Sequence, residues 1–309
     1  MNVLYFLENL RNPLLDLLFS AVTYLGHELL FLILICILFW CVNKRLGYYI
    51  IAVGLSGIIF NQILKMIFRI PRPWVIDPDF SIVENARAAA TGYSFPSGHT
   101  QCAVGAYGSI LLWERKRRSI LVTLSALPLV LVPLSRMYLG VHTPLDVGVS
   151  FGIALLLIFL LYPAAKHADT NPHRFTAVLL FMGGFSIANL MFLSFYQFPA
   201  DVDAICFADA YSNAWKLIGA AFGMTAVWIY DHDRLHFDTK AIWYAQIMKV
   251  VGGLILVLLI KEGCKWLFAL LLPYPISDTI RYFLVVLAAG ILWPMTFPWF
   301  AKLGKHTPA

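Results

Sequence analysis

Three short stretches of this 309-residue chain hold most of the side chains able to do chemistry. KMIFRIPRP (65–73) sets Lys65 seven residues before Arg72. Seven residues of helix turn to within about 20° of two full turns, so both cations share a face. Pro71 and Pro73 predict a helix end near Ile70, bending Arg72 over its mouth. SFPSGHT (94–100) reads as a helix start with Ser97 as cap. The amides of Ser97, Gly98 and His99 would then form an anion site, with no Cβ at Gly98 to block approach. SRMYLGVHTPLD (135–146) closes one apolar run at Ser135 and Arg136, and opens the next at Thr143 and Pro144. Asp146, in the first turn, is four residues from His142 and placed to receive its N–H, which frees the other ring nitrogen for attack. Burying that carboxylate near lipid without a partner costs about 2.5–3.5 kcal/mol, so the sequence demands one. Together these are three cations, two histidines, one carboxylate and a helix start. That set suits phosphoryl transfer, which needs neutralised equatorial oxygens, an in-line nucleophile and an acid for the leaving oxygen. With so many fixed cations, no metal and no other cofactor is required.

The elements that hold these residues are apolar. Hydrophobic residues make up 60% and charged residues 13% of the chain, which excludes an ordinary soluble domain. The fold class expected is all-α, a polytopic membrane bundle, because only helices or closed barrels satisfy the backbone in lipid. Apolar runs near 28–43, 46–69, 98–113, 118–139, 144–163, 174–196, 212–230, 242–272 and 279–301 predict nine or ten spans. The stretch 12–25 reads either as a short first span or as an interfacial helix, and carries Asp16.

The net charge of +6 has no aromatic-interleaved basic stripe and predicts no nucleic-acid partner. It records orientation instead. Lys44–Arg45, ERKRRS (114–119), Lys166 to Arg174, DHDRLHFDTK (231–240) and Lys302 with Lys305 fall on one side, which the positive-inside rule makes cytoplasmic. QFPADVDAICFADAYSN (197–213) has three aspartates and no Lys or Arg, so its side is external. Arg69, Arg72 and Arg87 sit on that external side against the rule, which asks for a chemical explanation. The five cysteines cannot all pair, and Cys36, Cys41 and Cys102 read as small core residues. No Cys/His spacing resembles a zinc site, and no removable signal is expected at the N-terminus.

The motifs K-x6-R-P, P-S-G-H and S-R-x5-H-x3-D, complete here as Lys65 to Pro73, Pro96 to His99 and Ser135 to Asp146, resemble those of the type 2 phosphatidic acid phosphatases. That family shares its phosphate site with vanadium haloperoxidases. The resemblance covers about residues 28–165 and implies His142 as nucleophile through a phosphohistidine, supported by Asp146. It implies His99 as acid to the leaving alcohol, and Lys65, Arg72, Ser97, Gly98 and Arg136 as phosphate ligands. The expected organisation is a catalytic membrane core over 1–165 and further transmembrane helices over 166–309, where no chemical motif is found and a homodimer contact is one candidate role. The substrate class implied is a lipid phosphate or diphosphate, presented from membrane lipid to an active site on the extracytoplasmic face. The longer layout is also similar to glucose-6-phosphatase, which keeps a soluble phosphate ester such as a sugar phosphate as an alternative. A transporter or scaffold on the same fold is the other.

Overall fold

The computed structural model describes residues 1–88, 90–116 and 120–303. Arg117, Arg118, Ser119 and Lys305 of the basic loops lie outside the described residues. The described chain is helical throughout, without a strand: α1 (Asn2–Glu8), α2 (Pro13–Thr23), α3 (Glu28–Ile37), α4 (Lys44–Phe68), α5 (Pro73–Ile76), α6 (Gly98–Trp113) and α7 (Ile120–Tyr138). Then follow α8 (Pro144–Lys166), α9 (Pro172–Phe195), α10 (Ala204–Tyr230), α11 (Trp243–Leu258), α12 (Cys264–Leu271), α13 (Ile276–Leu287) and α14 (Phe297–Lys302).

By length and composition, five helical stretches among the described residues can cross a membrane: Lys44–Ile76, Pro144–Lys166, Pro172–Phe195, Trp243–Phe268 and Ile276–Lys302. The pair Pro13–Gly26 and Glu28–Val42, bent by 52°, makes a sixth if it is one span. The chain is thus a multi-pass membrane protein, with fewer qualifying spans than the nine or ten expected. Counting the bent pair as one span, three of the nine apolar runs do not qualify. Helix α6 has 16 residues, the apolar part of α7 is Val122–Tyr138, and α10 is diluted by Asp209, Ser212, Asn213 and Lys216.

Two compact units make up the chain. The first comprises Met1–Leu32, Val53–Tyr162 and Tyr196–Ala210, and the second Ile33–Ala52, Pro163–Phe195 and the chain from Tyr211 onward. In the first unit, glycines allow close helix packing, as is usual in membranes. A Cβ at Gly57 would stand 2.4 Å from Gln101 Nε2, and one at Gly108 would stand 2.7 Å from Ile158 Cδ1. Helix α2 starts on Asn12, whose Oδ1 accepts from the Leu15 amide at 3.0 Å. It packs against α7, where Tyr138 donates its hydroxyl to Asp16 at 2.7 Å. That bond supplies the partner Asp16 needs in an apolar helix. Arg11 ties the same region together, donating from Nε to the Tyr138 carbonyl at 3.0 Å and from Nη1 to the Ser81 carbonyl at 2.8 Å.

The second unit has its own buried charge cluster at the end of α10. Asp231, fully buried, accepts from Lys44 Nζ at 3.0 Å, the Tyr48 hydroxyl at 3.1 Å and the Phe237 amide at 3.2 Å. All of its charge is therefore matched locally, the condition under which a buried ion pair persists.

Candidate active site

All eight residues singled out by the three motifs lie in the first unit. His142, Asp146, Arg136, Ser97 and Arg72 are buried, while Lys65, Gly98 and His99 are partly exposed. Each motif sits at a helix boundary. Lys65 lies in the last turn of α4. Arg72 caps α5, Ser97 caps α6, Arg136 lies in the last turn of α7, and Asp146 in the first turn of α8. Between α7 and α8 the chain turns through Gly140 at φ +79°, a left-handed conformation in which a Cβ would also stand 2.8 Å from Arg11 Nη2. This turn delivers His142 to the cluster.

Arg72 is spread over three carbonyls and one imidazole. Its Nε donates to the Gly92 carbonyl at 3.0 Å, Nη2 to the Thr91 carbonyl at 2.7 Å, and Nη1 to the Val141 carbonyl at 2.9 Å. Nη1 also lies 3.0 Å from His142 Nε2. Guanidinium has no acceptor, so Nε2 carries a lone pair and the ring proton sits on Nδ1. His142 is therefore held in the tautomer that a nucleophilic Nε2 requires. Burial, then the charges of Arg72, Arg136 and Lys65, hold its imidazole well below the ordinary histidine pKa. The His142 ring is therefore neutral at rest.

The partner of His142 differs in detail from the direct bond expected. Its Nδ1 lies 3.5 Å from Asp146 Oδ2 and 3.5 Å from Ser94 Oγ. Ser94 itself donates to Asp146 Oδ2 at 2.5 Å, and the Thr143 amide donates to the same oxygen at 2.7 Å. The Asp146 amide in turn donates to Thr143 Oγ1 at 3.3 Å, a reciprocal cap at the start of α8. Asp146 Oδ1 has no partner among the described residues.

Lys65 donates from Nζ to the Tyr93 carbonyl. Arg136 donates from Nη1 to Thr23 Oγ1 at 2.8 Å, while its Nε and Nη2 are buried with no partner among the described residues. Two charge-bearing donors are thus left for a ligand. The Ser97 amide, expected as an anion donor, is committed instead to the Asp146 carbonyl at 3.2 Å. The amides of Gly98 and His99, which have no acceptor within the helix, remain. A Cβ at Gly98 would meet nothing within 4 Å, so the space above the helix start is open.

Sequence reasoning missed Thr23, Ser94 and Tyr93. Ser94 lies inside the SFPSGHT stretch, so its position was a usable signal; Thr23 gave none, because its partner is 113 residues away. Among the described residues no three His, Cys, Asp or Glu side chains gather as a metal site. The donor set is instead Lys65, Arg72 and Arg136 against the single carboxylate of Asp146, a net formal charge of +2 with both imidazoles neutral. That matches a phosphate group of charge about −1.5 to −2.

Comparison with known proteins agrees with this chemistry. Residues 45–168 match the family described as the PAP2 superfamily, and residues 215–306 match the PAP2 superfamily phosphatase transmembrane extension. The chain belongs to the PAP2 superfamily. It is similar to phosphatidylglycerophosphatase B of Bacillus subtilis, 30% identical over 179 residues, which cover 54% of this chain and 81% of the relative. It is 26% identical to sphingosine-1-phosphate phosphatase 1 of Rattus norvegicus over 273 residues, or 84% of this chain. The alignment spans 62% of that longer relative. Undecaprenyl-diphosphatase BcrC of Bacillus subtilis is 30% identical over 109 residues, covering 35% of this chain and 52% of the relative. No solved structure gave a significant match.

Proposed function

We propose that the chain is a metal-independent membrane phosphatase acting on a lipid phosphate or diphosphate through a phosphohistidine on His142. The observation that carries this reading is the Arg72–His142 contact, which leaves Nε2 as the unprotonated ring nitrogen of a site that also holds the unpaired donors of Arg136. In the first step His142 Nε2 attacks phosphorus and the bond to the leaving oxygen breaks. His99, which takes up a proton as the phosphate anion binds beside it, gives that oxygen its proton. Positive charge on the His142 ring is offset by Asp146 through Nδ1–H, with Ser94 and Thr143 holding the carboxylate. In the second step water gives a proton to His99 and attacks phosphorus, breaking the P–N bond and restoring His142. Lys65, Arg72, Arg136 and the free amides of Gly98 and His99 at the start of α6 hold the equatorial oxygens throughout.

The relatives are named as phosphatases of sphingosine-1-phosphate, phosphatidylglycerophosphate and undecaprenyl diphosphate, which supports a lipid substrate. Phe68, Val75, Ile76 and Leu145, close in sequence to the motif residues, expose their side chains, which suits a mouth at the level of lipid. The basic loops support an extracytoplasmic position for that mouth. The decisive experiment incubates the purified protein with ³²P-labelled lipid phosphates and one sugar phosphate, with and without EDTA, and maps trapped label. Label on His142, its loss in His142→Ala, lipid turnover in excess EDTA and inhibition by vanadate are expected. Label on His99, activity restored only by magnesium, or a kcat/KM for the sugar phosphate at or above every lipid would each refute part of this reading.

A further inference from the structure

His27 stands at the break between α2 and α3 and takes no part in the steps above. Its ring meets the ring of His99 edge-on, with centroids 5.8 Å apart and planes at 67°. Two features make that contact a fixed one. The Leu29 amide donates to His27 Nδ1 at 3.3 Å, which ties the ring to the first turn of α3. The ring cannot rotate without giving up that bond. The backbone just before it is also seated against the same histidine. A Cβ at Gly26 would stand 2.7 Å from the His99 carbonyl oxygen and 2.7 Å from Val132 Cγ1, so only glycine lets the bend approach this closely. His27 also meets the ring of Tyr24, with centroids 5.9 Å apart. The break at residues 26–28 therefore places a held planar ring against the imidazole that serves the leaving oxygen.

We infer that His27 is a positioning residue for His99: its anchored ring fixes the plane of the general acid toward the leaving oxygen. The inference rests on the phosphatase reading and adds a residue that none of the three motifs contains. General acid catalysis depends on hydrogen-bond reach to the departing atom, and a small misplacement is costly. The need for it varies with the substrate. An alkoxide leaving group requires the proton, whereas p-nitrophenolate departs without one. A positioning residue for the acid must therefore matter for the first kind of ester and not for the second.

The test measures kcat/KM, which reports steps up to departure of the leaving group, for an alkyl phosphate and for p-nitrophenyl phosphate. Wild type, His27→Ala, His27→Phe and His99→Ala are compared as full chains in detergent. His27→Ala should lose about tenfold on the alkyl ester, a part of the 10²–10⁴ typical of general acid catalysis, and less than threefold on the aryl ester. His27→Phe, which keeps a planar ring, should return the alkyl activity to within threefold of wild type. Should His27→Ala fail to fold, His27→Leu takes its place and the same split is expected. Equal losses on both esters, no loss on either, or a Phe variant as impaired as Ala would overturn the inference. Wild type inactive on both esters, or a His99→Ala variant without a leaving-group split, would overturn the phosphatase reading and this inference with it.

Discussion

Asp146→Asn isolates the charge that His142 needs. The Asn side chain keeps an oxygen that can accept from Ser94 Oγ and from the Thr143 amide, so the start of α8 stays capped. What disappears is the negative charge 3.5 Å from His142 Nδ1. Two unit charges at that distance interact by about 5 kcal/mol at an effective dielectric of 20. In the proposed mechanism the ring carries only part of its positive charge as the P–N bond forms, so roughly half of this acts in the transition state. A loss of about 2.4 kcal/mol corresponds to about sixtyfold in rate. Single-turnover formation of the labelled phosphoenzyme in detergent is the appropriate assay, because hydrolysis of the intermediate does not enter it. The thermal unfolding midpoint should stay within a few degrees. A rate within threefold of wild type would refute the role given to the charge. A large fall in rate accompanied by loss of thermal stability would show Asp146 to be a cap first.

Three further outcomes follow. Gly98→Ala should be neutral or slightly stabilising, because Ala is favoured over Gly within a helix by about 0.8–1.0 kcal/mol and its Cβ meets nothing within 4 Å; the same methyl would occupy the space for phosphate, so KM should rise severalfold, and unchanged kinetics would refute phosphate binding there. Burial and the neighbouring cations depress protonation of His142, so the acid limb of kcat/KM should lie below the ordinary imidazole value of about 6.5, and Arg72→Gln should move that limb upward on the same substrate; a downward or absent shift would contradict the electrostatics. Thr23→Val leaves Arg136 Nη1 without its acceptor, at a cost of about 1–3 kcal/mol for an unpaired buried donor; denaturation and kcat/KM should both register it, and a silent variant would show that Thr23 does not hold the guanidinium.

Much of the site was legible because its chemistry is written at helix ends. Pro71 and Pro73 after Lys65, Ser97 before Gly98, and Thr143 before Pro144 are local signals, and each marks a helix boundary in the fold. Asp16 in an apolar run signalled a missing partner, although not that Tyr138 would supply it. Positions defined only by distant pairing were out of reach. Ser94 meets Asp146 52 residues away, and Thr23 meets Arg136 113 residues away. No spacing rule reports such contacts, which depend on how α2 and α7 pack. The count of qualifying spans falls below the expected one for a local reason: an apolar run also marks a helix that is short, as at α6, or interrupted by polar residues, as at α10.

The first unit is assembled from three separated pieces of chain, Met1–Leu32, Val53–Tyr162 and Tyr196–Ala210. Its last contribution is small but specific: the Asp203 amide donates to the Tyr93 hydroxyl at 3.1 Å, and the carbonyl of the same Tyr93 takes Lys65. A ribosome has therefore inserted two hundred or more residues before that brace can form, long after Asp146 has emerged. A fragment trimmed to the family match at 45–168 would carry every motif residue, yet it would lack Thr23 and His27 at one end and Asp203 at the other. If the proposed function holds, the smallest working piece of this protein is set by its tertiary bracing and not by its motifs.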